Sequence, residues 1–546
     1  MNSASPTIGE DGLLHGLNPA AIPCGAPTVA AILDGLSGDA PALVDSAETL
    51  SYSQLGAVVR AATAALQAMG LKQGDRVAAT GTNHNAMIVA FLASQRLGLV
   101  WVGINRVLAT AEKIAQLVDS GARLLLADPQ TADLLKAERH RTPALERILT
   151  SGVESTAEWL ALIAAHQGED AVCPPPDRLA PAAISYTSGT TGLPKGAVHT
   201  QHSIMTFVNA ATLSGNGGIW EPGLRRSVTI ALTIINAMTY GPLAALASGG
   251  SFVSMDRVDA TGVAEWIARA GIQILCCTPP TIRDILLKPE LVAHDINSLR
   301  YVMAGGAAGA TEIRSLFKER IGCEIIDSYG LTEAPSGVAE SRFNCLPPPG
   351  GSGRIHAHVE IVALDSDANP VPPGTVGELG IRARQHGPWT NVFTGMIGYW
   401  HQSDETAKVF RNGWLCTGDL GFVDADENLF IVGRLKELII RGGANVYPTE
   451  VERVLRTVDE IEDAVVVGMP DDRLGEIVCS FVKLKDPKGE MAGIADRLTA
   501  ACHLELARYK VPERWYIVDE IPRNAMNKPN RARLLEMPRR EALKVE

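Results

Sequence analysis

The sequence has no excess of basic residues: 49 Lys and Arg stand against 61 Asp and Glu, a formal net charge of −12. No basic face stands out, which argues against a life spent on nucleic acid. That balance leaves room for a local anion site, because screening confines a charge's field to about 8–10 Å. Cysteine is sparse and scattered. The nine cysteines, at 24, 173, 276, 277, 323, 345, 416, 479 and 502, are odd in number and form no C-x-x-C pair. Reduced thiols fit that spacing better than a disulfide framework or a zinc knuckle. The first residues, M-N-S-A-S-P-T-I-G-E-D-G, lack a basic n-region and a long apolar h-region, so no secretory signal is expected. The most apolar stretch, 86–103, is broken by Gln95 and Arg96, whereas a membrane-spanning helix needs about 20 mostly apolar residues. It reads as a buried helix running into a strand. The expectation is a cytoplasmic protein without integral membrane association. No internal repeat, low-complexity tract or G-x-S-x-G elbow occurs, and a serine hydrolase is correspondingly unsupported.

What is present is an ordinary globular composition, 46% hydrophobic and 20% charged over 546 residues, long enough for more than one domain. Strand-like runs at 76–80, 122–127, 182–186, 272–276, 299–303 and 323–326 alternate with helical patterns, notably 86–97 and 240–247. That rhythm predicts an α/β fold with mainly parallel sheets. From about 371 to 433 short strands and turns replace it, predicting a β-rich subdomain. The remainder reads as a small α+β domain: a helix at 449–458, strands at 463–468 and 477–482, and a helix near 491–507. The expected division is 1–433 and 434–546, joined at 434–437.

The densest chemistry lies at 186–196, Y-T-S-G-T-T-G-L-P-K-G. Glycine lets the backbone approach an anion, and successive backbone N–H groups in such a turn form an anion-binding concavity. Thr187, Ser188, Thr190 and Thr191 add hydroxyls, and Lys195 adds a full positive charge. It is not the common P-loop, since Leu193 and Pro194 separate Gly192 from Lys195.

This stretch resembles the signature loop of the adenylate-forming superfamily, which includes acyl-CoA synthetases, adenylation domains of peptide synthetases and firefly-type luciferases. Further motifs follow in the superfamily's order: D-S-Y-G-L-T-E at 327–333, W-L-C-T-G-D-L-G at 414–421, G-R-L-K-E-L-I-I-R-G-G-A-N-V-Y-P-T-E at 433–450 and P-R-N-A-M-N-K-P-N-R at 522–531. The resemblance implies ATP, Mg²⁺ and coenzyme A. It assigns Thr187, Ser188, Gly189, Thr190, Thr191, Gly192 and Lys195 to the phosphates. It places Tyr329 on adenine, with Asp327 near the adenine amino group and Ser328, Gly330 and Gly306 around them. Thr332 would contact the α-phosphate, Glu333 with Thr187 would hold Mg²⁺, and Asp419 and Arg434 would contact the rest of the nucleotide. Carboxylate oxygen suits a hard divalent cation. Lys436 falls at the hinge, Gly442 and Gly443 along the channel for CoA, and Lys528 at the catalytic lysine. Arg523, Asn524 and Asn527 depart from the usual lysine, threonine and glycine; asparagine tolerates the left-handed backbone better than most residues.

A small-molecule carboxylic acid is the implied substrate. Ile234 stands at the usual histidine position and Thr233 at the usual aromatic one. With Gly306, Ala307 and Ala308 they suggest an apolar, roomy acyl pocket for a cyclic, arylalkanoic, steroid-derived or medium- to long-chain acid. No carrier domain follows Lys528 in this sequence, so CoA is the expected acceptor. A stand-alone enzyme loading a carrier protein, a luciferase and a catalytically inactive nucleotide-binding scaffold remain alternatives. A homodimer is left open. His356-x-His358 has no evident third metal ligand, and Arg225–Arg226 reads as a solvated loop pair rather than an anchor for a second carboxylate.

Overall fold

A computed structural model describes residues 6–154, 156–187, 194–213, 221–277, 279–287, 296–305, 311–322, 324–341, 347–486, 493–524, 528–537 and 543–544. The run R-V-A-A-T at Arg76–Thr80 is a strand at the expected bounds. Its last four residues are all buried, as they must be in a parallel sheet covered on both faces. It pairs in parallel with Val100–Gly103 on one side and Leu124–Ala127 on the other. Among the described residues the sheet has seven strands, in the order Gly398–Tyr399, Lys195–Thr200, Pro181–Thr187, Val100–Gly103, Arg76–Thr80, Leu124–Ala127 and Arg147–Thr150. Its antiparallel pairs lie at one end, among Pro181–Thr187, Lys195–Thr200 and Gly398–Tyr399.

The stretch 86–103 resolves into helix Asn85–Arg96 and strand Val100–Gly103. Every residue of the helix except Arg96 is buried, so its apolar character marks an interior helix. Gln95 is accommodated by donating from Nε2 to the Ala182 carbonyl at 3.0 Å, the kind of partner a buried amide requires.

A second sheet has nine strands among the described residues. Its centre, Ser251–Val253, Arg225–Val228, Ile274–Cys277, Tyr301–Gly305 and Glu324–Leu331, is parallel throughout. Ser336–Glu340 then runs back antiparallel beside Glu324–Leu331. The helix expected near 240–247 spans Ile235–Ala247, with a π-helical stretch at Thr239–Leu243 that contains Pro242. Proline has no N–H to give an α-helical bond, and a π turn is a common way to absorb such a defect, often at functional sites.

Arg225 and Arg226 correct the sequence reading. They are not a loop pair but open the strand Arg225–Val228. Arg226 is 1% exposed. Two charges in a row look like surface, but alternation along a strand sends one outward and one inward. Arg225 donates to the Ala270 carbonyl at 2.6 Å. Burial pulls the Arg226 guanidinium down to about 9, opposed by the charge of Glu340.

From Val359 onward strands predominate, including Val359–Leu364, Gly377–Ala383 and the ten-residue Trp414–Val423. The chain divides into two compact units. The larger is Met1–Ile361 with Gly380–Leu415 and Asp426–Leu429; the smaller is Val362–Leu379 with Cys416–Ala425 and Phe430–Glu546. In the smaller unit the long strands Ile461–Asp471 and Gly475–Leu484 form an antiparallel pair, and Arg514–Ile517 joins in parallel. Helices Pro448–Leu455 and Ile494–Glu505 bury Val451, Val454, Leu455 and Leu498 in a core with Val466, Val482 and Trp515. Among the described residues, no helix is long and apolar enough to cross a membrane.

Candidate functional site

In the larger unit the phosphate-loop sequence hangs from a two-stranded neck. Pro181–Thr187 and Lys195–Thr200 pair antiparallel, with Thr187 opposite Lys195. Thr187 Oγ1 lies 3.5 Å from the Lys195 carbonyl oxygen. Ser188, Gly189, Thr190, Thr191 and Gly192 lie outside the described residues, as do Gly306, Ala307, Ala308 and Asn527.

The Lys195 ammonium is not directed at empty space. It hydrogen-bonds the Glu405 carboxylate and sits 5.1 Å from the centroid of the Tyr399 ring. Lys408 holds the other oxygen of Glu405 at 2.5 Å. The hydrogen bonds from Lys195 and Lys408 pull the Glu405 carboxyl down to about 2. Tyr399 in turn donates its hydroxyl to Glu333 Oε1 at 2.8 Å. Burial and the adjacent Glu333 charge raise the Tyr399 phenol, so it stays a donor. Backbone bonds complete the link. Met396 N–H donates to the Glu333 carbonyl at 2.7 Å, and Ile397 and Trp400 donate to Val198 and Gly196 at 2.8 Å each. The segment 396–400 thus ties Glu333 to the neck of the loop, bringing Thr187, Lys195 and Glu333 into one connected group.

Thr332 and Glu333 are the central residues of a turn closed by the Ala334 N–H on the Leu331 carbonyl at 3.2 Å. A turn there projects both side chains from the end of the strand Glu324–Leu331. Asp327, Ser328, Tyr329 and Gly330 precede it on that strand. The Asp327 backbone N–H donates to Ser341 Oγ at 2.8 Å. Tyr329 pairs with Ala339, and the register shifts between Tyr329 and Gly330. Such an irregularity re-aims side chains at a strand end.

Tyr240, which the sequence did not single out, reaches the same strand. Its hydroxyl is 2.7 Å from Ser328 Oγ and its ring packs edge-on against Phe207 at 4.7 Å. Gly337 makes room for it: a Cβ built there would stand 1.8 Å from the Tyr240 hydroxyl oxygen. Burial, with the Glu340 charge adding to it, raises Tyr240 well above the usual phenol range. Ile234, expected at the acyl pocket, is half-buried at the head of the helix that carries Tyr240. His356 and His358 are buried, with ring centroids 5.6 Å apart, and His356 Nε2 lies 3.6 Å from Glu340. Among the described residues no group of three His, Cys, Asp or Glu is arranged to hold a metal ion.

The smaller unit carries the remaining expected residues. Asp419 is buried on the strand Trp414–Val423 and is met by Arg434 Nε at 3.1 Å. Lys436 is exposed in the short turn Leu435–Glu437. Gly442 and Gly443 connect Ile439–Arg441 to Ala444–Val446 with φ of +56° and +84°. Two successive left-handed residues are what a tight type I′ hairpin needs, and glycine adopts them without steric cost. Lys528 is exposed. Its N–H donates to Asn524 Oδ1 at 3.0 Å and its carbonyl accepts the Asn524 N–H at 2.8 Å. Asn524, a departure from the family pattern, therefore bonds directly to the backbone of the lysine.

Sequence reasoning missed Tyr240, Tyr399 and Glu405. The available signals were weak: a tyrosine beside Gly241–Pro242 inside an apolar run, and the acid pair Asp404–Glu405 opening a helix just after Tyr399–Trp400.

Comparison with known proteins identifies the family. Residues 35–396 match the model of the AMP-binding enzyme family and residues 450–528 that of the AMP-binding enzyme C-terminal domain. The chain is 33% identical to the fatty acid–[acyl-carrier-protein] ligase ScoC of Streptomyces coeruleorubidus, with 89% of this chain and 91% of the relative covered. It is 31% identical to a feruloyl-CoA synthase of an Amycolatopsis species, with 90% and 95% covered. Among solved structures, the anthranilate CoA ligase AuaEII in complex with anthranoyl-AMP superimposes with a TM-score of 0.82 at 25% identity, covering 93% of this chain and 96% of that one. The chain belongs to the AMP-binding enzyme family, within the adenylate-forming superfamily, and is an AMP-forming acid–thiol ligase.

Proposed function

We propose that the protein is an ATP-dependent carboxylic acid–CoA ligase that works through an acyl-adenylate. In the first step a carboxylate oxygen of the acid attacks the α-phosphorus of ATP. The bond to the bridging oxygen breaks and pyrophosphate leaves. In the second the CoA sulfur attacks the acyl carbon, the carbon–oxygen bond to phosphate breaks, AMP leaves, and the thiol proton passes to solvent. The observation that carries the reading is the Lys195–Glu405 and Tyr399–Glu333 network, which fixes the loop neck to the turn of Thr332 and Glu333.

Tyr399 orients Glu333 through one carboxylate oxygen, and Thr187 contributes a hydroxyl. This is an oxygen donor set of the kind Mg²⁺ prefers. When bound there, Mg²⁺ would neutralise charge on the phosphates. Tyr329 and Asp327 would recognise adenine, with Asp419 and Arg434 holding the remainder of the nucleoside. Lys195, shared with Glu405, steadies the neck of the phosphate loop. Lys528 supplies positive charge in the adenylation step. Such preorganised donors act mainly on charge that develops in the transition state. The pivot is placed at 434–437, on Lys436 inside the smaller compact unit, with Gly442–Gly443 facing the thiol substrate.

The acid is a hydrophobic one. Ile234 in place of histidine favours an apolar wall, and the Tyr240 hydroxyl on Ser328 adds one polar point to it. A second reading for the acceptor rests on ScoC, named as an acyl-carrier-protein ligase. In that case the thiol belongs to a carrier's phosphopantetheine. Purified protein should release AMP in the presence of ATP, Mg²⁺, CoA and a responsive member of a carboxylic-acid panel. Thioester formed only with holo-carrier protein, and none with CoA, would move the assignment to the second reading. Absence of acid hydroxamate across the panel would support an inactive scaffold.

A further inference from the structure

Three residues after Lys528 comes Arg531, the first residue of the helix Arg531–Glu536. Its guanidinium reaches three partners within the smaller unit. Nη1 meets Glu437 Oε2 at 3.1 Å. Nη2 donates to Glu452 Oε1 at 2.7 Å, and Nε donates to the Val466 carbonyl at 3.3 Å. Glu437 is the residue after Lys436, in the turn Leu435–Glu437. Glu452 belongs to the helix Pro448–Leu455, and its side chain is 5% exposed. It also accepts the Val466 N–H at 3.0 Å and is met by Arg456 at 3.4 Å. Arg531 therefore has one end seated in the core of the unit and the other on the turn expected to act as a hinge.

The loop carrying Lys528 is closed at its base. Asn530 N–H donates to the Pro522 carbonyl at 2.8 Å, in addition to the two bonds between Asn524 and Lys528. Arg523, the residue after Pro522, is held by Asp463. The loop is thus anchored on one side by Arg523–Asp463 and on the other by Arg531. Planar guanidinium, with donors pointing along fixed directions, suits such a three-way tie.

We propose that Arg531 is a positioning residue that ties Lys528 to Glu437, the residue that follows the pivot Lys436. Rotation about Lys436 then carries the Lys528 ammonium in a fixed orientation. The proposal rests on the reading of Lys528 as the adenylation lysine and Lys436 as the pivot. It implies that loosening the tie harms the step that uses Lys528 and spares the step that does not.

The test measures the two half-reactions separately: acid-dependent pyrophosphate release, and thioester formation from supplied acyl-AMP and CoA. The variants are Glu437→Gln, Arg531→Gln, the two together, and Lys528→Ala. Glu437→Gln leaves Arg531 on Glu452, so it carries the test even should Arg531→Gln fail to fold. A reacting group misplaced by about 1 Å loses about 10²-fold in rate, so Glu437→Gln should slow adenylation roughly 10- to 100-fold and thioester formation less than about threefold. The double variant should be little worse than Arg531→Gln alone, since both break one tie. A parallel fall in both half-reactions would reduce Arg531 to a structural role and overturn the proposal. Lys528→Ala inactive in adenylation with Glu437→Gln unchanged overturns the tie alone. Lys528→Ala with wild-type adenylation overturns the reading beneath it.

Discussion

Gly337→Ala puts the packing around Tyr240 to a direct test. The added Cβ would lie 1.8 Å from the Tyr240 hydroxyl oxygen and 2.9 Å from Ser328 Oγ, where real Cβ atoms essentially never come within 3.0 Å of a heavy atom. The hydroxyl cannot simply step aside. It is bonded to Ser328, its ring is backed by Phe207 at 4.7 Å, and Gly337 sits on a paired strand. Overpacking of this kind costs about 1–3 kcal/mol, and loss of the Tyr240–Ser328 hydrogen bond adds about 0.5–1.5 kcal/mol, giving roughly 2–4 kcal/mol. Tyr240→Phe removes the oxygen in the way, so the nearest ring atom would be Cζ at 3.1 Å. The double variant should therefore be more stable than Gly337→Ala alone by at least about 1 kcal/mol, a coupling that a double-mutant cycle isolates. Calorimetry suits the measurement, because a chain of two units need not unfold in one transition, and kcat/KM for the preferred acid should fall alongside. Gly337→Ala within about 0.5 kcal/mol of wild type, or a double variant no more stable than the single, would refute the geometry.

Lys528→Ala should lower acyl-AMP formation by about 10²–10³ while thioester formation from supplied acyl-AMP is largely kept; separate assays of the two half-reactions decide it. Gly443→Leu should show the opposite split, with acyl-AMP accumulating. Its Cβ would meet nothing within 4 Å at φ +84°, so the fold bears only the left-handed backbone strain of about 1–2 kcal/mol. Glu405 has a folded pKa of about 2 against an ordinary 4.5. Its contribution to stability is therefore present above pH 4.5 and lost as pH falls from there toward 2. Glu405→Gln should flatten that part of the acid-unfolding curve, and an unchanged curve would show that Lys195 does not depend on it.

Much of the scaffold was legible because its signal is local. Arg76–Thr80 and the helix–strand pair within 86–103 are apolar runs between turn residues, and burial on both faces follows from that alone. The motif at 327–333 is expected just after a strand at 323–326, whereas the strand runs Glu324–Leu331 and carries most of the motif itself. What escaped depends on neighbours far along the chain. Arg226 looks like a surface charge until the strand Arg225–Val228 is placed inside the sheet and buries it. Tyr240 is unremarkable until Gly337 leaves it space. Lys195 reads as a bare phosphate ligand, but its ammonium is shared with Glu405, on a helix more than two hundred residues away.

The most direct test of the central claim is an acid-dependent ATP–pyrophosphate exchange, followed by product analysis with CoA. Exchange without CoA, and equimolar AMP, pyrophosphate and acyl-CoA with it, are the expected results. ADP and phosphate as products, or no exchange with any acid of a broad panel that the protein otherwise binds, would contradict the account.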